Sequence, residues 1–126
     1  MRALLIDTSK GASVVDVKDF RDIQKKLDID VFDIVSRQIG NDKNAIYDIY
    51  VDDCGLLKGN PIVSAYDSQG VPHLVGNLLV ARHNEDGEQI PLTDEDLEYL
   101  EQWCFEAHDT KHNMVHHILM PVDYPV

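Results

Sequence analysis

Short apolar runs broken by turn-forming clusters constrain this chain more than any other feature. Ile46, Asp48, Tyr50 and Asp52 alternate with Tyr47, Ile49 and Val51, and the run stops at Asp52-Asp53-Cys54-Gly55. Period-two alternation predicts a β-strand, because successive strand side chains point to opposite faces. Residues 2–7 and 13–17 are also aliphatic or β-branched, and Thr8-Ser9-Lys10-Gly11 between them predicts a hairpin. Leu74 to His83 reads as a buried strand with a bulge at Gly76. Asn84-Glu85-Asp86-Gly87 then turns the chain, and Glu88 to Ile90 returns along that strand. Val31 to Ile39 fits both the strand and the helix period and is read here as a strand.

Helix signals are fewer. Asp19 is placed to cap a short helix carrying Phe20, Ile23 and Leu27 at i, i+3 and i+7. Pro61 suits the first turn of another, running to Tyr66 before the turn Asp67-Ser68-Gln69-Gly70. The best-marked helix begins at Thr93. Thr93 is a good N-cap, Asp94, Glu95 and Asp96 complement the dipole, and Leu92 and Leu97 occupy the staple positions. Its inward stripe is read as Leu97, Leu100, Cys104 and Ala107, with Trp103 at the edge. Beyond His108, Met114 to Met120 either extends that helix or forms a last strand, and Pro121 and Pro125 end regular structure.

These elements predict an α+β chain, one domain over residues 1–126. The sheet is expected to be mostly antiparallel with four to six strands, with two or three helices on one face and an irregular His-rich tail over roughly 108–126. A length of 126 residues with 44% hydrophobic content supports one real core. No stretch approaches the ~20 apolar residues of a membrane span. Asp7 interrupts the first apolar run too early for a signal core, and two cysteines make no disulfide framework. A cytoplasmic location is expected.

The net charge of −12 is unevenly spread. Residues 1–58 hold eleven acidic and nine basic side chains, a balance of −2; residues 59–126 hold twelve acidic side chains against only Arg82 and Lys111, a balance of −10. Direct nucleic-acid binding is disfavoured, because phosphates must be met by Lys and Arg. Anionic membranes are disfavoured for the same reason. A basic partner, a cation or simple solvation fits the excess.

The middle of the chain resembles a known family. Asp52-Asp53-Cys54-Gly55-Leu56-Leu57-Lys58-Gly59-Asn60-Pro61 matches its acidic strand end, glycine turn, leucine and Asn/Pro segment. Ala65-Tyr66-Asp67-Ser68-Gln69-Gly70 and Val75-Gly76-Asn77-Leu78-Leu79-Val80 match its acidic turn and glycine-marked apolar strand. Pro91-Leu92-Thr93-Asp94-Glu95-Asp96 matches the closing helix start. The chain thus resembles the bacterial, plasmid and phage proteins of domain-of-unknown-function family 3846, over roughly residues 2–100. The resemblance implies a mobile-element or bacterial cytosolic context and supplies no functional residues. The His-rich tail departs from the pattern.

Two groups of residues stand out. Cys104, His108, His112 and His116 recur every four residues, so on one helix neighbouring pairs are spaced to chelate a divalent metal. Only adjacent turns reach one ion, no second motif supplies further ligands, and half-buried or surface histidines are the plainer reading. Asp94, Glu95, Asp96, Glu98 and Glu101 form either an acidic docking face, an imitation of DNA phosphates, or a solvated helix face. Cys54 beside Gly55 has no nucleophile signature, Gly55 and Gly59 bracket Lys58 without P-loop spacing, and Asp52-Asp53 reads as a turn before it reads as metal ligands. The expected function is therefore a non-enzymatic accessory protein that binds a protein partner and carries no cofactor. An acidic DNA-mimic inhibitor of a host nuclease is the alternative, and metal binding by the Cys104/His108/His112/His116 series comes third.

Overall fold

The computed structural model of the protein describes residues 1–53 and 61–126. The expected hairpin forms, with β1 (Arg2–Asp7) antiparallel to β2 (Gly11–Asp16). Asp19 caps α1 (Phe20–Leu27) by accepting from the Asp22 amide, and Asp28 closes the helix in the left-handed conformation. The ambiguous segment is a strand, β3 (Phe32–Ile39), paired residue for residue with β4 (Ile46–Asp52).

Two expectations fail in the middle of the chain. The segment after Pro61 is not a helix: Val63–Tyr66 forms strand β5. Its β-branched and aromatic residues gain ladder partners on both sides, which an isolated turn of helix would not provide. The run from Leu74 to His83 is not one strand with a bulge. It divides into β6 (Pro72–Val75) and β7 (Leu78–His83), which belong to different sheets. Gly76 has φ +77° and donates its amide to Ile62, and the Asn77 carboxamide accepts from Thr8. This turn carries the chain from one sheet into the other.

After the turn at Gly87, β8 (Gln89–Ile90) returns against β7 as expected. Helix α2 (Asp94–Glu101) starts at the Thr93 cap with a full capping box to Asp96. It ends three residues before the stripe was read to continue. Cys104 and Ala107 lie instead on β9 (Cys104–Asp109), hairpinned to β10 (Met114–Leu119), and β11 (Val122–Asp123) follows. The tail is therefore regular, not irregular. Asp109 accepts the amides of Lys111 and His112, and Asn113 adopts a positive φ of 51°, so the chain reverses where a helix would have to run on.

The main sheet runs β11-β3-β4-β7-β1-β2 with β8 beside β7, all antiparallel. The second sheet runs β6-β5-β10-β9, in which β10 and β5 are parallel. The fold is α+β and mostly antiparallel, as expected. The helices, however, lie on opposite faces of the main sheet. Ala3, Tyr50, Leu79 and Ala81 pack with Ile23 and Leu27 of α1, while the alternate residues Leu4, Ile6, Ile49, Leu78 and Val80 pack with Leu92 and Leu100 at α2 and with Ala65 and Leu119 of the second sheet. Strand β4 is covered on both faces, so Tyr47, Asp48, Ile49 and Tyr50 are all buried despite the polar residue among them. Neither helix is long and apolar enough to cross a membrane.

Candidate functional site

The carboxylates of α2 separate into two groups. Asp96 is drawn inward and becomes a hub: it accepts from the Tyr47 hydroxyl at 2.9 Å, the Arg82 guanidinium at 2.9 Å, and the Thr93 amide and hydroxyl at 2.8 and 3.0 Å. Burial alone would raise its pKa, but these donors outweigh it and hold the carboxyl below its usual value. The same burial, reinforced by the Asp96 charge, raises the Tyr47 hydroxyl. Asp94 lies against Arg2 at 2.8 Å. Glu95, Glu98 and Glu101 remain at the surface. Of the five expected docking carboxylates only Asp96 is turned inward, since Asp94 stays 91% exposed beside Arg2, and a helix of eight residues presents only about 12 Å of length.

The Cys/His series is broken by the β9–β10 hairpin. Cys104 faces Leu119 across the ladder, His108 faces Val115, and His116 faces Ala107, with His112 in the connecting turn. Cys104 is half-buried against the larger core cluster and donates to the Leu100 carbonyl. Burial, with the Glu101 charge second, pushes its thiol up to about 11. At a pH of about 8.5 its thiolate population is then roughly 10²-fold below that of an ordinary thiol. Iodoacetamide labelling of Cys104 in a Cys54→Ser background, followed by mass spectrometry, is expected to be slower than a model thiol by about that factor. Labelling within about threefold of the model thiol would show the group to be accessible and ordinary.

His108, His112 and His116 do share one feature. They line a groove of about 700 Å³ between the hairpin and the start of β5, with Ile62, Val63 and Met114. His112 Nδ1 lies 2.7 Å from the Asp109 carboxylate, and this bond is the main cause of a lowered Asp109 pKa. His117 is not among them, since its ring packs over Gly11. Among the described residues no three His, Cys, Asp or Glu side chains converge as a metal would require. Asp52 ends β4 and Asp53 follows it in a turn, while the segment Cys54 to Asn60, with its thiol and glycines, lies outside the described residues.

Two surfaces were missed. Asp48, only 8% exposed, holds His83 Nδ1 at 2.7 Å across 35 residues of sequence. The other is apolar. Phe20 is 67% exposed at the start of α1, its ring centroid 6.0 Å from Phe32, which stands 5.3 Å edge-on to the buried Tyr50. Ile34, 45% exposed, pairs with Tyr50 and shares the strand face of Phe32. Of the three apolar residues spaced at i, i+3 and i+7 on α1, Ile23 and Leu27 reach the core and Phe20 does not.

Compared with known proteins, residues 1–104 match a family model described as "Domain of unknown function (DUF3846)". No curated protein matches the chain, and no solved structure does.

Proposed function

Because the chain belongs to the DUF3846 family, whose description carries no activity, we propose from its own surfaces that it is a non-enzymatic accessory protein of the bacterial cytosol that binds another protein. The observation that carries this reading is the exposed aromatic Phe20, held in place by Phe32 and continued by Ile34. An ordered, solvent-exposed aromatic beside an aliphatic side chain is the composition of an interface anchor. A polar rim accompanies it, with Lys18, Arg21 and Asp33 exposed nearby in the chain.

The patch lies at a sheet edge. Strand β11 pairs with Gln38 and Ile39, and among the described residues no strand covers Phe32 to Arg37 of β3 on that side. This edge is nonetheless guarded: the Ile34 amide donates to the Asp33 carboxylate, and Arg37 donates to the Ser36 carbonyl. Side-chain docking is therefore favoured over addition of a partner strand. Imitation of DNA by α2 has less support, given that Asp96 is turned inward and the helix is short.

A photo-reactive benzoylphenylalanine at position 20 tests the reading in the native host. A discrete cross-linked adduct is expected from position 20 and not from position 98, and it should disappear on Ile34→Asp. An adduct formed at position 98 alone, on a basic nuclease or DNA-binding protein, would instead assign function to the acidic helix.

A further inference from the structure

We propose that the histidine-lined groove between β5 and the β9–β10 hairpin binds one small amphiphilic anion, an apolar body bearing a carboxylate or sulfonate. Its volume of about 700 Å³ lies in the range of organic-ligand sites. The apolar part of the wall comes from Ile62, Val63 and Met114, and Met114 is 48% exposed, so apolar surface faces solvent there.

The polar part of the wall selects the charge. Asp109 is the carboxylate in the groove, and it is already occupied by His112 Nδ1 and by the amides of Lys111 and His112. That contact leaves Nε2 as the ring position of His112 open to a ligand, and charging the ring makes Nε2 a donor beside its own counter-ion. His116 adds a second imidazole on the strand face of Asp109 and Met114, whereas His108 lines the groove from β9 with its side chain on the alternate face. With no three ligand groups converging on a metal position among the described residues, the rings are left to act as hydrogen-bond donors.

The distribution of charge elsewhere strengthens the choice. Residues 59–126 carry only Arg82 and Lys111 as permanent cations, and Arg82 is bound to Asp96. His112 and His116 both lie at this groove, and Lys111 sits in the hairpin turn between β9 and β10. Among the groove's lining residues Asp109 is the one carboxylate, and it is already engaged. An anion with an apolar body satisfies both walls; a free inorganic anion would leave the apolar wall wet, and a cation would meet the imidazoles.

The probe is 8-anilinonaphthalene-1-sulfonate, followed by fluorescence as it is titrated into the protein. Saturable binding of one probe per chain is expected. The pair His112→Ala and His116→Ala should weaken it at least about tenfold, as expected for loss of charge-assisted hydrogen bonds. The neutral analogue N-phenyl-1-naphthylamine should bind correspondingly less well, and Phe20→Ser should leave the sulfonate's affinity unchanged. If the histidine variant is not folded by circular dichroism, Met114→Glu decides, since a carboxylate introduced into the groove must repel the anion. Failure to saturate, equal binding of the neutral analogue, or unchanged affinity in the folded groove variant overturns the proposal. Loss of binding in Phe20→Ser alone would place the probe on the α1 patch and overturn it equally, without bearing on the protein-binding role.

Discussion

Gly40→Ala is expected to lower the melting temperature by more than about 10 °C. Gly40 follows β3, has φ +78°, and donates its amide to the Pro121 carbonyl. A Cβ there would overlap the Trp103 indole nitrogen and the Tyr99 hydroxyl. Neither ring can easily give way. Tyr99 donates to the Ile39 carbonyl at 2.6 Å and accepts the Asp42 amide, and Trp103 packs against the larger core cluster. The conformational cost of a left-handed alanine is about 1 kcal/mol, and overpacking adds about 1–3 kcal/mol. Gly70 is the internal control. It has the same φ of +78° with nothing within 4 Å of a Cβ, so Gly70→Ala carries the conformational cost alone. Thermal melts should separate the two variants by at least about 5 °C. Equal melting temperatures would show that the Tyr99 and Trp103 rings move aside freely.

Asp96→Asn is expected to cost about 2–4 kcal/mol near neutral pH, a range set by breaking a mostly buried pair and discounted because Arg82 remains about one-third exposed. The substitution keeps the shape but removes the charge that Arg82, Tyr47 and Thr93 all address. Its dependence on pH is the sharper test. The folded carboxyl titrates below its ordinary value of 3.8, so its contribution is complete above that value and is lost as pH falls through the lowered one. Asparagine cannot titrate. The gap in urea stability between wild type and variant should therefore be constant above a pH of about 5 and narrow below about 4. The other lowered carboxyls, Asp16 and Asp109, are present in both proteins and cancel in the difference. A gap that persists unchanged into acid would mean that the carboxylate charge contributes nothing and only its shape matters.

The candidate surfaces were legible only where their logic is local. Asp96 was readable as a helix-start acid because the Thr93 cap is three residues away. Its role as a hub was not, since Tyr47 and Arg82 arrive from 49 and 14 residues away. The Asp48–His83 pair and the Phe20–Phe32–Tyr50 stack were illegible for the same reason. The four-residue spacing from Cys104 to His116 misled in the opposite direction: on a hairpin, that spacing carries no helical meaning.

By itself the sequence determined what acts over a few residues: the hairpin turn before Gly11, the caps at Asp19 and Thr93, the turns ending in Gly70 and Gly87, and the alternation that makes β4 a strand. These depend on backbone preference and on side chains reaching their own neighbouring amides. Only the tertiary structure decided which sheet each strand joined, on which face each helix packed, and that Cys104 begins a strand. Strand pairing draws its hydrogen bonds from distant partners. Two short helices can cover either side of a sheet that is apolar on both. The charge imbalance was visible at once, but its use was not, because Asp96 is committed by Tyr47 and Arg82, residues that only folding brings to α2.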